Sequence, residues 1–433
     1  MEETEVLTGH DPHEATIMDF KLTRVQEQCL RDQAITDEQP GPVLRDFRVL
    51  LDFLGPQGVE AGGKYNVLPL KFIGELDRCL SRPLHLELKR PLLRSHPYLQ
   101  GLNLLLRASG LSRVEAAGAK GRLILDPDML AQWDRLNPTE QYFNLLEAWL
   151  RLGRPEMVGE PGSRGGQLLP SCLQAWRRVP EQGRRIDPEN PPGRYAFGVG
   201  SDFYMLALMD LFGLLEIEQP RRPVAPWSPA GLRHVAFGDA VFALILSQFE
   251  LILGEGFPQQ DDEDQEEGEP EGLRFGAWQS LFQPYFPEWR QNLVFQRFEP
   301  REGTFIFRVS LGKVWRLIAM PADAALDDLV GLILRSVNFD SDHLYKFTYR
   351  DRLGTDVSIS HPAMDEDPGT DRVSIGTLPL DPGQTMELLY DFGDEWAFTI
   401  KLERIDPPGA RKKAPRILEK HGKAPKQYPR WDW

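Results

Sequence analysis

Tyr390-Asp391-Phe392-Gly393-Asp394-Glu395-Trp396 is the stretch from which the C-terminal quarter of this 433-residue chain can be read. A Gly-Asp tip lies between two alternating runs, 386–390 and 396–404, and the second places Trp396, Phe398, Ile400 and Leu402 on one side. Glycine takes the positive φ that a tight turn requires, so the spacing predicts a β-hairpin. Upstream, 304–311 alternates with Phe305, Phe307, Val309 and Leu311 on one face, as a half-buried strand does, and 313–320 is its expected partner. After Pro321, the residues Leu326, Leu329, Val330, Ile333, Leu334 and Val337 recur at the spacing of one helical face. Strands are also expected at 344–350, 357–360 and 373–375, the last two separated by a loop with Asp365, Glu366 and Asp367. The prediction for 303–406 is an α+β module, a mostly antiparallel sheet covered by one helix.

The N-terminal region predicts a different architecture, mainly helical, in which helix, β-ribbon, helix recurs three times. In the first copy a helix over 43–54 precedes Val59-Glu60, a strand at 65–68 and a helix after Pro69. The second has a helix over 98–107, strands 111–114 and 122–125, and two helix starts at Asp126-Pro127 and Asn137-Pro138. Each start sets a capping side chain before a proline at the first helical position, and Glu140 completes a capping box with Asn137. The third has a helix over 202–212, a strand 214–217 and an apolar helix 239–253. This order resembles winged-helix modules, which commonly bind DNA through a helix and a basic wing. The bases on the wings are few: Lys64, then Arg113, Lys120 and Arg122, then Arg221 and Arg222.

Length alone argues for more than one core. The expected division is 1–153, helical with two winged-helix-like units; 154–194, an irregular Gly/Pro/Arg-rich connection with a short helix at 168–179; and 195–258, the third unit. An acidic linker, 259–272, and a connecting segment, 273–302, then lead to the module at 303–406 and a mobile basic tail at 407–433. Charge is segregated to match. Residues 255–271 hold nine acids and no base, so without them the net charge of −15 becomes −6, whereas eight bases against two acids after Asp406 give the tail +6. Self-repelling acidic runs without apolar periodicity stay unfolded. Three distant cysteines, Cys29, Cys79 and Cys172, fit neither a disulfide framework nor a zinc knuckle. The acidic start Met-Glu-Glu-Thr-Glu lacks the features of a signal peptide, and no apolar run approaches the roughly 20 residues that span a bilayer. A cytoplasmic protein with no membrane association is expected.

Four motifs in order carry a family resemblance: Val314-Trp315-Arg316, Pro321-Ala322-Asp323, Ser341-Asp342-His343-Leu344, and the run from Tyr390 to Trp396 with Ile400. Together they resemble the plasmid pRiA4b ORF-3-like family, with Trp315, Arg316, His343, Tyr390, Asp391, Phe392, Gly393, Asp394 and Trp396 at the motif positions. The resemblance implies a bacterial α+β domain without assigned biochemistry, at times carried by plasmids or mobile elements, and the long N-terminal region resembles the extension of larger members. Two departures stand out. Phe398 replaces the family's usual His, and Tyr428-Pro429-Arg430-Trp431 stands where many members have Tyr-Pro-x-Cys. Any polar or metal site built on that His and Cys is missing those two groups here.

The chemistry on offer is limited. Asp391-Phe392-Gly393 spells the kinase magnesium triplet, yet neither a glycine-rich loop with its lysine nor a His-Arg-Asp loop precedes it. Gly198-x-Gly200 lacks the strand and the ribose-binding acid of a nucleotide loop, so no cofactor is expected. His343, Asp342, Asp391 and Asp394 could together hold a divalent ion. The plainer reading is that Asp391 and Asp394 bond the hairpin's own backbone, as aspartates do in turns. The reading adopted is a non-enzymatic accessory or adaptor protein with a macromolecular partner. The first alternative is a DNA-associated protein of a mobile element, with phosphate contacts from Lys412, Lys413, Arg416, Lys420 and Lys423. The second is a metal-dependent enzyme using the Asp391/Asp394 hairpin.

Overall fold

The computed structural model describes residues 22–62, 65–86, 88–117, 120–160, 168–187, 203–222, 227–247, 275–295, 298–364, 368–409 and 414–428. The acidic linker, Lys64, the Gly198-x-Gly200 segment, Asp365 to Asp367, Lys412, Lys413 and the final aromatic residues lie outside them.

Capping chemistry sets the helix starts of the N-terminal region. In chain order its elements are α1 (Arg24–Asp32), α2 (Val43–Leu54), β1 (Val59–Glu60), α3 (Ile73–Cys79), α4 (Pro97–Ala108), β2 (Ser112–Ala117), β3 (Lys120–Leu125), α5 (Pro127–Trp133), α6 (Pro138–Glu147), α7 (Leu168–Arg177), β4 (Arg184–Arg185), α8 (Phe203–Leu211), β5 (Leu215–Glu218), β6 (Gly231–His234), α9 (Ala236–Ser247) and α10 (Gln279–Phe282). Asp126 accepts the amides of Asp128 and Met129 at the start of α5, and Asn137 and Glu140 form the expected reciprocal box on α6. All twelve residues of α4 are buried, so this helix is the centre of the region rather than a surface element.

Pairing departs from the three-unit reading. β1 pairs not with 65–68 but with β3, Val59 opposite Leu123, giving the order β1-β3-β2; Gly62 and Val67 make a single bridge. A two-residue strand cannot stand alone and joins the nearest longer ribbon. The second small sheet, β4-β6-β5, recruits Arg184–Arg185 from the stretch expected to be irregular. One hydrophobic cluster runs from Leu30 through the helices of this region to Leu293.

Residues 275–295, expected to be a mere connection, are fastened to α6. Glu140, Asn144 and Glu147, all buried and spaced i, i+4, i+7, present acceptors along one helical face. Glu140 Oε1 accepts the amides of Arg290 and Gln291 at 3.0 and 2.8 Å, Asn144 Oδ1 that of Leu293 at 2.8 Å, and Glu147 those of Gly276 and Ala277 at 2.8 and 3.1 Å. Between them the Phe143 ring stacks on Trp289, centroids 4.7 Å apart.

The C-terminal elements are β7 (Thr304–Leu311), β8 (Val314–Pro321), α11 (Leu326–Val337), β9 (Tyr345–Arg350), β10 (Asp356–Ser360), β11 (Thr385–Tyr390), β12 (Trp396–Asp406) and β13 (Arg416–His421). All seven strands are antiparallel, in the order β10-β9-β11-β12-β7-β8-β13. Phe307, Ile400 and Leu388 belong to a second core with Leu329, Ile333 and Val337 of α11, so the helix covers one sheet face as expected. The other face keeps exposed Arg308, Glu387 and Thr399. Two expectations fail. Residues 373–375 give one bridge, Ala325 to Ser374, followed by a 3-10 turn, and the supposedly loose tail supplies β13, an edge strand on β8.

Candidate functional site

The site grows from the hairpin β11–β12, whose register pairs Tyr390 with Trp396. Asp391 takes φ +60°, a region few side chains tolerate, and its Oδ1 accepts the amides of Gly393 and Asp394 at 2.9 and 3.4 Å. Its own amide donates to the Leu344 carbonyl at 3.0 Å, which fastens the bend to the loop between α11 and β9. That loop carries Asp342 and His343. Nε2 of His343 lies 2.9 Å from Tyr428 Oη, 3.4 Å from Asp342 Oδ1 and 3.5 Å from Asp391 Oδ2. Tyr390 Oη donates to the Asp340 carbonyl at 2.6 Å, the Asp340 amide donates to Gln427 Oε1 at 2.6 Å, and Gln427 Nε2 donates to Tyr428 Oη at 3.1 Å.

Three segments therefore meet: the hairpin bend, the loop after α11 and the end of the tail. Desolvation, then the carboxylates of Asp342 and Asp340, raises the Tyr428 phenol above its ordinary range, so the hydroxyl stays protonated at neutral pH beside His343 Nε2. The arrangement can hold a proton at the surface between phenol and imidazole, beside two carboxylates.

Of the four candidate metal ligands, Asp342, His343 and Asp391 come together, whereas Asp394 is exposed at the tip and offers Asp391 its amide. Among the described residues, no group of three or more His, Cys, Asp or Glu is placed to hold a metal ion. Asp391 does what aspartates do in turns.

The remaining motif residues divide by sheet face. Arg316, 5% exposed, donates through Nε to the Ser336 carbonyl at 3.1 Å and through Nη1 to the His421 carbonyl at 2.8 Å, so it ties α11 and β13 to β8. Trp315 lies on the open face, with the Arg308 guanidinium 4.2 Å from its ring centroid and the His421 ring stacked at 5.2 Å. Trp396 packs edge-on against Phe339 at 4.9 Å, Phe392 is exposed at the tip, and Phe398 is buried in the core. Arg416 and Lys420 sit on β13, with Lys423 exposed just beyond it. Gln427, Asn144, Glu147 and the second role of Glu140 beyond its capping box are not visible in the sequence alone; only the i, i+4, i+7 spacing along α6 signals the last three.

Residues 307–427 match the sequence profile of the family described as plasmid pRiA4b ORF-3-like protein, and so include β13 and Gln427. An uncharacterised protein, y4hQ, of Sinorhizobium fredii is 32% identical over 118 residues, 26% of this chain and 57% of that protein. The chain thus spans little more than half the length of that relative. A solved protein of unknown function, MM3350, from Methanosarcina mazei Go1 is 21% identical, covering 28% of this chain and 70% of that one, with a TM-score of 0.25. Among the described residues no helix is long and apolar enough to cross a membrane.

Proposed function

We propose that this chain, plasmid pRiA4b ORF-3-like over residues 307–427, is a non-enzymatic accessory protein that holds a macromolecular partner on the open face of its seven-stranded sheet. The observation that supports this is the division of labour across the sheet. One face is sealed by α11 and Asp391 is committed through Oδ1 to the bend, whereas the other face displays Glu387 and Thr399 with the Arg308–Trp315–His421 array. A half-buried indole flanked by an exposed guanidinium and imidazole suits a partner surface better than a reaction centre. A photo-crosslinking residue at Thr399, in cells that express the chain, should give a discrete adduct that the same probe at the exposed Val25 does not. Equal labelling at both positions would remove the proposal.

A second reading, a DNA-associated protein of a mobile element acting through winged-helix-like units and the basic edge, is favoured by one observation: Arg416, Lys420 and Lys423 follow one another along the sheet's edge. Deleting 407–433 is a poor test, because it also removes β13. Charge reversal of Lys420 and Lys423 is cleaner. If they contact phosphate, the slope of log K against log salt for duplex DNA should fall by about 1 per lysine; an unchanged slope, or no binding at low salt, ends this reading.

A further inference from the structure

Exposed apolar side chains are ordinary when scattered singly and call for an explanation when they gather. They gather around His343. Leu344 is 41% exposed, Phe392 40% and Tyr428 49%, and each belongs to one of the three segments that meet there. The Leu344 carbonyl accepts the Asp391 amide at 3.0 Å, Phe392 follows Asp391 in the bend, and Tyr428 Oη lies 2.9 Å from His343 Nε2. Phe392 is also held in place. The amides of Gly393 and Asp394 on Asp391 Oδ1, and that of Glu395 on the Asp391 carbonyl at 2.7 Å, fix the tip. Its ring is therefore presented without the ordering cost that a loose loop adds on binding.

The charge around this apolar group is of one sign. Residues 338–344 and 391–396 hold five acids, Asp340, Asp342, Asp391, Asp394 and Glu395, and no lysine or arginine. All but Asp391 are exposed, and Lys426, two positions before Tyr428, offsets one charge at most. An apolar centre with an acidic rim selects a partner of the opposite sign, the rim steering and discriminating while the centre supplies the affinity. We propose that this end of the sheet docks a basic segment of a partner protein, an apolar side chain of which rests on Phe392, Leu344 and Tyr428 while its lysines or arginines reach Asp342, Asp394 and Glu395. The contact is built on the loop after α11 and does not depend on what the open face of the sheet holds.

The probe is the peptide acetyl-Lys-Leu-Arg-Leu-Lys-amide, titrated into the full chain, with acetyl-Gln-Leu-Gln-Leu-Gln-amide and acetyl-Lys-Ser-Arg-Ser-Lys-amide as comparisons. The amide resonances of Gly393 and Asp394 should shift saturably, with a Kd under about 1 mM that rises with added salt. Phe392→Ser should weaken the probe about tenfold, and Asp394→Asn with Glu395→Gln should do the same and flatten the salt dependence. All three side chains are exposed, so both variants should keep the wild-type Tm. A wild type whose Gly393 and Asp394 amides ignore the peptide overturns the proposal, and so do equal shifts with either comparison peptide or wild-type affinity in either variant. Sedimentation without peptide covers the remaining occupant: a dimer that Phe392→Ser dissolves would give the patch to a second copy of the chain and likewise overturn the proposal.

Discussion

At φ +60° a side chain crowds its own backbone, and Asp391 offsets that strain by accepting two amides of the bend it creates. Asp391→Ala should therefore cost about 1–2 kcal/mol in chemical denaturation, the strain remaining while two amides lose their acceptor. Asp391→Asn keeps Oδ1 and should stay within about 0.5 kcal/mol of the wild type. Were Asn as costly as Ala, the contact with His343 at 3.5 Å would be the important one instead. A second residue gives a pH signature. Asp210, buried on α8, accepts from Tyr98 Oη at 2.9 Å and Arg82 Nε at 3.1 Å, yet burial outweighs both and raises its carboxyl above the ordinary range. Asp46, Glu147 and Asp351 are raised for the same leading reason. A raised folded value means that the native state binds the proton more tightly than the unfolded chain. The stability these groups contribute is therefore complete below the ordinary carboxylate range and is lost as pH rises through the raised values. As pH falls from neutrality toward the ordinary carboxylate range the urea midpoint should climb, and less steeply in Asp210→Asn; identical slopes in the two proteins would refute the assignment.

The fastening of 275–295 to α6 should be visible in exchange kinetics. The amides of Gly276, Ala277, Arg290, Gln291 and Leu293, bonded to buried acceptors, should exchange only through large-scale opening. Asn144→Ala should release the Leu293 amide and cost about 2 kcal/mol, whereas fast exchange in the wild type would mean that the segment is loosely held. Elements of this kind mark the limit of what a sequence discloses. Thr304–Leu311 and Leu326–Val337 were legible because periods of 2 and 3.6 are written into their own residues. The hairpin was legible from Gly393 and its flanking alternation, and Asp342, His343 and Asp391 lie together beside it. β13 was not, because a charged edge strand, protected against stray pairing by Arg416, Glu419 and Lys420, looks like a tail. Nor could Val59–Glu60 disclose that its partner lies more than sixty positions ahead at Leu123. The site's polar closure by Tyr428, 85 positions from His343, is non-local in the same way.

At the scale of the whole molecule, the question is what makes two cores behave as one. Interfaces between domains of a chain are commonly polar, and relative motion is the default unless something locks them. Here the lock is the β9–β10 turn: Leu353 packs against the N-terminal cluster, Arg352 reaches Asp126 at 3.2 Å, and the Arg350 guanidinium lies 4.4 Å from the centre of the Tyr65 ring. Arg352 is half-exposed and Asp126 is buried, but the carboxylate keeps the amides of Asp128 and Met129 and lies 3.8 Å from Arg113, so Arg352→Ala should cost only about 1 kcal/mol. Gly354 is the critical residue. Its φ of +88° and the absence of a Cβ allow the turn to lie on the buried Arg107 guanidinium, where any Cβ would overlap Nη2. Gly354→Val joins a β-branched side chain to a forbidden φ and should cost the docked state about 2–4 kcal/mol while leaving both cores intact, since neither contains Gly354. Calorimetry should then resolve two transitions where the wild type shows one, and small-angle scattering should show a larger radius of gyration. If Gly354→Val melts in one unshifted transition with unchanged dimensions, the turn is not the lock, and the association of the two cores must rest on the residues that lead from Leu293 to Thr304.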